Sequence, residues 1–196
     1  MSKLLEIKNL SVDFNVRDTK FRAVDSISLS LDKNETKALV GESGSGKSVT
    51  AMSILQLLPD LKASYGNDSS IFFDQIDILN ASKKELRSIR GNQISMIFQE
   101  PMTSLNPYHK VGKQIMESSL LHSGLSRSEA EEEAKSLMKL VEIPDVNRRF
   151  NAYPHELSGG QRQRIMIAMA LVNKPKLLIA DAVSYTHLRA HETQFD

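Results

Sequence analysis

One stretch of the chain has the residue types and the spacing of a phosphate-binding loop. Residues 41–48 read GESGSGKS, which satisfies the pattern G-x-x-x-x-G-K-[ST] at every fixed position. Glycines let successive backbone N–H groups point into one concavity that holds a polyphosphate, while Lys47 reaches the β- and γ-phosphates and the Ser48 hydroxyl ligates Mg²⁺. The candidate binding residues in this stretch are Gly41, Ser43, Gly44, Ser45, Gly46, Lys47 and Ser48.

The segments on both sides of this loop predict the scaffold that such a site needs. Residues 36–40 form a short apolar run that predicts a buried strand, and residues 49–58 predict a largely apolar helix that ends near Pro59. The start of that helix adds its dipole to the attraction for phosphate. A Gly/Ser turn can match the pattern by chance, but the strand–loop–helix context favours a nucleotide site.

An acidic residue follows a second apolar run. Residues 177–180 read LLIA and predict a strand, and Asp181 comes directly after it. Because the ligand sites of parallel sheets gather at the carboxyl ends of strands, an Asp in this position can hold Mg²⁺ through water. Many buried strands end in Asp, so this residue carries weight only in combination with the phosphate-binding loop.

A second candidate anion site lies at residues 157–161, which read LSGGQ directly before a predicted helix. The Ser158 hydroxyl and the N–H groups of Gly159, Gly160 and Gln161 can receive a phosphate there. The alternative is a simple helix N-cap, which stabilises a helix by about 1 kcal/mol but does not need two glycines. Two anion sites and one loop lysine suggest that two subunits share nucleotides across an interface.

A glutamine stands where another apolar run ends. Residues 94–98 predict a strand, and Gln99 begins a turn that continues through Glu100 and Pro101. A carboxamide in this position can ligate Mg²⁺ or orient a water molecule, although an isolated glutamine there is more often an ordinary loop residue.

The composition is that of an ordinary globular domain. Of the 196 residues 40% are hydrophobic and 25% are charged, and the net charge of +1 does not indicate a broad nucleic-acid footprint. The chain has no cysteine, which excludes disulfides and cysteine-based metal sites within it. No stretch approaches the roughly 18 apolar residues needed to span a bilayer, so we expect any membrane connection to come through a partner.

Hydrophobic periodicity predicts the remaining elements. Alternating apolar and polar residues at 4–14 and 22–31 predict an antiparallel strand pair. Capping boxes that start at Ser82 and Ser126 predict the beginnings of two helices. The other predicted segments are a loop at 63–70, a strand at 71–73, helical periodicity from about 110 to 141 and a helix at about 160–173.

Together these motifs resemble the ATP-binding cassette (ABC) ATPase family, in which LSGGQ is the signature motif. The texts FQEPMTSLNP at residues 98–107 and YPHELSGGQRQR at residues 153–164 look like the dipeptide/oligopeptide importer branch of that family. The resemblance covers residues 3–181 almost without interruption.

The resemblance implies an α/β fold, with a P-loop NTPase core, an antiparallel β subdomain and a helical subdomain, incomplete at the C-terminus. The ABC ATPase domain would occupy residues 1–181, with the helical subdomain at about 102–157. Residues 182–196 have no family character and resemble a translated sequencing-adapter tail, so we expect this segment to be foreign to the protein.

The same resemblance implies roles for the candidate residues, with ATP and Mg²⁺ as cofactors. Phe14 would stack on adenine, although a sheet-core aromatic is an equal alternative. Gln99 would join the Mg²⁺ and water site to the membrane-facing helices, and Ser48 and Asp181 would also serve the metal. In trans, the γ-phosphate held by a partner cassette would contact Ser158, Gly159, Gly160 and Gln161.

The implied partners are a second ABC ATPase subunit, identical or related, and membrane permease subunits. An extracytoplasmic binding protein would take part indirectly, and no nucleic acid is implied. The chain would lie on the cytoplasmic face of the cell membrane. Closure of a head-to-tail dimer over two ATP molecules, followed by hydrolysis and opening, would drive uptake of dipeptides or oligopeptides.

The chain departs from the family pattern after Asp181. The family pattern has a Glu next, which polarises the attacking water, and this chain has Ala182. A switch histidine is expected about thirty residues further on, and His187 and His191 are too close to the acid to be that residue. We therefore expect an ATPase as the parent protein, and for this chain weak ATP binding at best and negligible hydrolysis.

Other interpretations remain open. An unrelated P-loop kinase or GTPase is disfavoured by LSGGQ and by the distance from the loop to Asp181. A non-transport ABC protein that acts as an ATP-driven switch on ribosomes or DNA is a different class. Within the importer branch, nickel or glutathione is an alternative cargo.

Overall fold

The computed structural model describes residues 3–16, 19–59, 62–98 and 104–181. It divides the chain into two compact units, residues 1–90 and residues 91–196. Each unit has its own sheet, and each is described by itself below.

The first unit is built on a five-stranded antiparallel sheet in which β1 is central. Its strands are β1 (Lys3–Val16), β2 (Thr19–Asp32), β3 (Ala63–Tyr65), β4 (Ser70–Phe73) and β5 (Ile76–Asp77). β1 pairs with β2, β3 and β4, which confirms the predicted antiparallel pair and the strand predicted at 71–73. The loop predicted at 63–70 is wrong in part, because its first three residues form β3 and its last residue, Ser70, begins β4.

Side chains on one face of β1 form the centre of this unit. Leu5, Ile7, Leu10 and Val12 are each at most 3% exposed. The buried positions shift from a two-residue to a three-residue spacing between Ile7 and Leu10, where the register with β2 also shifts. Asn9, with a φ of 47°, takes up the extra residue in a conformation that asparagine tolerates better than most residues.

A second irregularity lies in β2 at Ala23. Val12 pairs with Val24, and the next pair along the ladder joins Asp13 to Arg22. Ala23 is therefore an extra residue with no partner on β1, which is the arrangement of a β-bulge. Such a bulge locally redirects the backbone of the strand that carries it.

An ion pair between a buried carboxylate and two exposed cations joins the two strands beside this bulge. The Asp13 carboxylate accepts hydrogen bonds from Arg22 Nε at 2.9 Å and Nη2 at 3.3 Å, and Lys20 Nζ lies 3.0 Å from it. The Asp13 side chain is only 4% exposed. Hydrogen bonds from Arg22 and then Lys20 lower the pKa of Asp13 to about 2, because they favour its charged form.

The helix after the phosphate-binding loop is α1 (Lys47–Ile54), which ends four residues before the predicted end. Gln56 stops it with a φ of 46° and donates its N–H to Ser53 O at 3.0 Å. The Leu57 N–H donates to Met52 O at 2.9 Å, and the two bonds form a Schellman turn. This turn usually needs glycine at its left-handed position, so a glutamine there gave no signal in the sequence.

The strand predicted at residues 36–40 is not formed, and this prediction is wrong. The segment has no regular structure, and Leu39 and Val40 are 48% and 79% exposed. A buried strand needs hydrogen-bonding neighbours on the sheet, and no described strand pairs with this segment. An apolar run alone therefore did not decide its conformation.

The second unit combines two parallel strands with a group of helices. Helix α2 (Lys83–Ile89) is the last element of the first unit. The elements of the second unit are β6 (Ile94–Ile97), α3 (Val111–His122), α4 (Arg127–Leu140), α5 (Val146–Arg149), a 3₁₀ turn (Pro154–Glu156), α6 (Gly159–Leu171) and β7 (Leu177–Ala180). The helical stretch predicted at 110–141, the helix predicted at 160–173 and the strand at 177–180 are confirmed. In the part of the chain that the structure describes, no helix is long and apolar enough to cross a membrane.

Both predicted capping boxes are present. At the start of α2, the Glu85 N–H donates to Ser82 Oγ at 3.2 Å, and the Ser82 N–H donates back to the Glu85 carboxylate at 2.8 Å. Ser126 and Glu129 make the same reciprocal pair at the start of α4. Each box satisfies two N–H groups that the helix itself leaves unpaired.

The core of the second unit lies where α3, α4 and α6 pack together. Ile115, Ala130, Ala134, Met138 and Ile165 are completely buried there. Helix α6 also contacts β6, so the helices rest on the two-stranded sheet of the same unit. The small residues of α4 allow the close approach of its neighbours.

The start of α3 packs against an aromatic ring. A Cβ added to Gly112 would lie 2.5 Å from Phe150 Cδ2 and 2.6 Å from the adjacent ring carbons. The Gly112 N–H also donates to Phe150 O at 3.0 Å, which holds the two backbones together. No other residue type fits at this position without displacing the ring.

We predict that Gly112→Ala destabilises the chain, because the new methyl group overlaps the Phe150 ring. Overpacking of this kind typically costs about 1–3 kcal/mol. Urea unfolding should show the loss, and Phe150→Leu in the same chain should recover part of it. A Gly112→Ala variant as stable as the original chain would contradict the packing described.

We predict that Asp13→Asn lowers stability at pH 7 and that its effect disappears in acid. The folded-state pKa of about 2 lies below the ordinary value of about 3.9, so the carboxylate stabilises the fold above pH 4. That contribution is lost as the pH falls from about 4 to 2. Unfolding curves of the original and variant chains should therefore converge over this range.

The matched control is Asp68→Asn, in an exposed turn of the same unit. It should leave stability nearly unchanged at both ends of the pH range. A gap between Asp13→Asn and the original chain that stays constant from pH 7 to pH 2 would show that the ion pair is not its cause.

Candidate functional site

The phosphate-binding loop takes up backbone conformations that favour glycine. Gly44 and Gly46 have φ values of +82° and +87°, which L side chains rarely adopt. The Ser45 N–H donates to Glu42 O at 3.2 Å and closes a tight turn within the loop. The glycines whose spacing predicted the loop are therefore the residues that allow its backbone to curve.

The Lys47 ammonium lies over this turn. Its Nζ donates to Gly41 O at 2.7 Å, to Glu42 O at 2.6 Å and to Ser45 Oγ at 3.2 Å. These oxygens fix the positive charge at the mouth of a loop whose residues 41–45 are exposed. The ammonium is therefore held within the loop itself, and it must leave these oxygens to pair with a phosphate.

The loop is seated on the bulge of β2. A Cβ added to Gly46 would lie 2.6 Å from Ala23 O and 3.0 Å from Val24 Cγ2. Thr50, which is 2% exposed, donates its N–H and its hydroxyl to Gly46 O at 2.8 and 2.9 Å. Gly46 is thus held from one side by the strand and from the other by the first turn of α1.

The N-terminus of α1 points into the same loop. Gly46 is its N-cap residue and supplies no side-chain cap, and its first turn contains no acidic residue. N–H groups at a helix start carry a partial positive charge that favours anions. The loop, the lysine and the helix start therefore form one electropositive site on the first unit.

Phe14, predicted to contact a nucleobase, lies on β1 in the same unit and is half-buried. It follows Asp13, and its partner in the register is Phe21 of β2. Phe21 lies two residues along β2 from Ala23, the seat of Gly46. Phe14 and the loop are therefore positioned by the same pair of strands.

The LSGGQ stretch forms the N-terminus of α6, as predicted. The Gln161 N–H donates to Ser158 Oγ at 3.3 Å, and the Ser158 N–H donates to Gln161 Oε1 at 3.2 Å. The N-cap interpretation is therefore correct for Ser158. It does not account for Gly159 and Gly160, where an added Cβ would meet no heavy atom of the described chain within 4 Å.

This helix start is fixed from behind by an arginine. Arg162 Nε donates to Pro154 O at 2.8 Å and to Leu157 O at 3.0 Å. Leu157 is 3% exposed and anchors the approach to the helix in the core. The first turn of α6 is consequently a firm and exposed surface.

Asp181 lies where the parallel strands end. β6 and β7 pair in register from Ile94 and Leu177 onward, and the Asp181 N–H donates to Ile97 O at 2.9 Å. Gln99 comes two residues after Ile97 and lies outside the described residues, as does Ala182. The structure thus confirms the strand that precedes Asp181 and the strand that leads toward Gln99.

The structure brings together only part of the predicted set. The loop residues and Phe14 share the first unit, and the α6 start and Asp181 belong to the second. Sequence patterns did not indicate the seat at Ala23 and Val24 or the Asp13–Arg22 pair beside it. The only signal for the ion pair was an acidic residue, Asp13, on one predicted strand and a basic residue, Arg22, on the other. Opposite charges on neighbouring strands are common at protein surfaces.

The sequence profile of the ABC transporter family matches residues 24–184 of this chain. The oligopeptide transport ATP-binding protein OppD of Bacillus subtilis (strain 168) is 48% identical over 181 residues, which are 92% of this chain and 50% of that protein. The peptidoglycan transport ATP-binding protein YejF of Agrobacterium fabrum is 54% identical over 178 residues, which are 91% of this chain and 32% of that protein.

A solved structure agrees with the sequence comparison. The dimeric ATP-binding cassette MJ0796, in a post-hydrolysis state bound to ADP and Pi, superposes with a TM-score of 0.78 at 27% identity. The match covers 90% of this chain and 72% of that cassette. The chain spans half the length or less of the two curated relatives named above. It belongs to the ABC transporter family, and its fold is that of the ABC ATPase cassette.

Proposed function

We propose that this chain is the ATP-binding part of an ABC importer subunit whose parent protein couples ATP hydrolysis to uptake of dipeptides or oligopeptides. The observation that carries the proposal is the Lys47 ammonium, held over a glycine loop that is seated on β2. This arrangement supplies N–H donors, a helix start and a nearby cation for the phosphates of one nucleotide.

The residues of this loop have separate tasks in the proposal. Gly41, Ser43, Gly44, Ser45 and Gly46 present backbone N–H groups to the α- and β-phosphates. Lys47 moves from its loop oxygens to the β- and γ-phosphates. The base would stack on Phe14, which the same strands position.

Mg²⁺ would be held by oxygen donors, as this ion prefers. The proposed ligands are the Ser48 hydroxyl, the Gln99 carboxamide and, through water, the Asp181 carboxylate. Support comes from the second unit, where β6 and β7 end at the same edge of the sheet, two residues before Gln99 and directly before Asp181 in the sequence. The ion would neutralise charge on the β- and γ-phosphates.

A second ABC ATPase subunit would complete the site. The exposed start of α6 offers Ser158, Gly159, Gly160 and Gln161 to the γ-phosphate on that subunit. Two glycines that packing does not require support this role, because they let a ligand approach the helix backbone closely. The solved dimer with ADP and Pi is a precedent for such an assembly in a related cassette.

The membrane partners belong to the same proposal. Permease subunits would contact the helical subdomain, about residues 102–157, and Gln99 would transmit the state of the nucleotide to them. A binding protein outside the cytoplasm would deliver cargo, and this chain would lie at the cytoplasmic face of the membrane. The peptide cargo rests on the name of the Bacillus subtilis relative, whereas the Agrobacterium fabrum relative is named for peptidoglycan transport.

We predict that Lys47→Ala lowers ATP affinity of this chain by at least tenfold, because it removes the only loop side chain that can pair with the phosphates by charge. Titration calorimetry with ATP and Mg²⁺ measures the loss, and circular dichroism checks the fold. Lys84→Ala, at an exposed position of α2, is the matched control and should leave ATP affinity unchanged. Equal affinities of the Lys47 and Lys84 variants would contradict the proposal.

We predict that the chain hydrolyses ATP negligibly because Ala182 stands where the family has its general base. Ala182→Glu should raise the hydrolysis rate by about 10²-fold, the usual lower end of a general-base contribution. Ala182→Gln has nearly the same shape without a base and should not raise it. Ordinary turnover by the unaltered chain, or equal rates of the two variants, would refute the assignment.

A further inference from the structure

Phe21 is a large aromatic residue that the fold leaves 62% exposed. Single apolar residues on a surface are normal, so the exposure alone indicates nothing. Its position in the strand pair is what distinguishes it. Three observations relate it to the phosphate-binding loop and to the predicted base contact.

The first observation is the register of β1 and β2. Phe21 is paired directly with Phe14, and directly paired residues of antiparallel strands lie on the same face of the sheet. One ring is half-buried and the other is mainly exposed. Both side chains therefore project from the same face of the strand pair.

The second observation is the distance along β2 to the loop seat. Ala23, whose carbonyl Gly46 approaches, is two residues from Phe21. At a rise of about 3.3 Å per residue, this separates the two positions by about 7 Å along the strand. A nucleotide whose phosphates occupy the loop can therefore extend its base toward Phe14 and Phe21.

The third observation is the ion pair that joins the two strands in this stretch. The Asp13–Arg22 ion pair is the ladder pair next to Phe14 and Phe21, and it lies between that pair and the bulge at Ala23. Asp13 is nearly inaccessible and accepts three hydrogen bonds or ion pairs. This ion pair therefore cross-links the two strands between the loop seat and the aromatic pair.

We propose that Phe21 is a second base-stacking residue, which forms with Phe14 a two-ring platform for the nucleobase of the bound nucleotide. The inference rests on the proposed function, because it needs the nucleotide in the loop. Stacking on a ring face requires only a π-surface and no hydrogen-bond donor. A structural alternative exists, since cross-strand aromatic pairs also stabilise hairpins.

The test compares ATP with inorganic tripolyphosphate, which has the phosphates but no base. Affinities of both are measured by competition on the full chain with Phe21→Ala, Phe21→Leu and Phe21→Tyr. Phe14→Ala is the positive control, and Thr19→Ala, an exposed position on the same strand, is the matched negative control. Circular dichroism and thermal unfolding show whether the hairpin is intact.

The inference predicts that Phe21→Ala and Phe21→Leu each weaken ATP binding by about tenfold and leave tripolyphosphate binding unchanged. Phe21→Tyr keeps a ring and should bind ATP like the original chain. Unchanged ATP affinity in Phe21→Leu overturns the inference, and so does an equal loss for both ligands, which would indicate a role in the hairpin alone. A chain that binds neither ligand would instead refute the proposed function.

Discussion

The close approach of the Gly46 backbone to the Ala23 carbonyl constrains the whole first unit. The contact leaves no room for a Cβ, so the loop can sit on β2 only with glycine at this position. Ala23 lies at the bulge of β2, where the pairing with β1 is irregular, and a bulge redirects the backbone of its strand. The Asp13–Arg22 pair holds that pairing in place. The glycine of the motif is therefore explained by a strand about twenty residues earlier in the chain.

In the second unit, the candidate anion-binding groups at the start of α6 are held by contacts close to them in the sequence. Ser158 caps α6 through its own turn, and Arg162 fixes the approach to the helix from behind. Gly159 and Gly160 are exposed, and no packing contact in the described chain requires glycine at either position. A helix start that is stabilised internally stays available to an external anion, which fits a surface that serves a nucleotide on another subunit.

Local signals in the sequence predicted local structure well. Both serine capping boxes and the N-cap at Ser158 were predictable because their hydrogen bonds join residues three positions apart. The absence of a strand at 36–40, the short strand at 63–65 and the end of α1 were not predictable, because each depends on the presence or absence of a pairing partner or on an unusual left-handed residue. The contact of Gly46 with Ala23 joins residues far apart in the chain. The bulge at Ala23 is not marked by any particular residue type in the sequence. The chemistry of the motif could therefore be predicted from the sequence, whereas the part of β2 against which the motif packs could not.

We propose that residues 41–48, seated on β2, receive the phosphates of ATP. Backbone amide NMR shifts during titration with ATP and Mg²⁺ measure this contact, with AMP as the comparison. We expect large shifts for the amides of residues 41–48 and for Ala23 and Val24 with ATP, and much smaller ones with AMP. Unperturbed loop amides at saturating ATP, or equal shifts with AMP, would show that the loop is not the site of the phosphates.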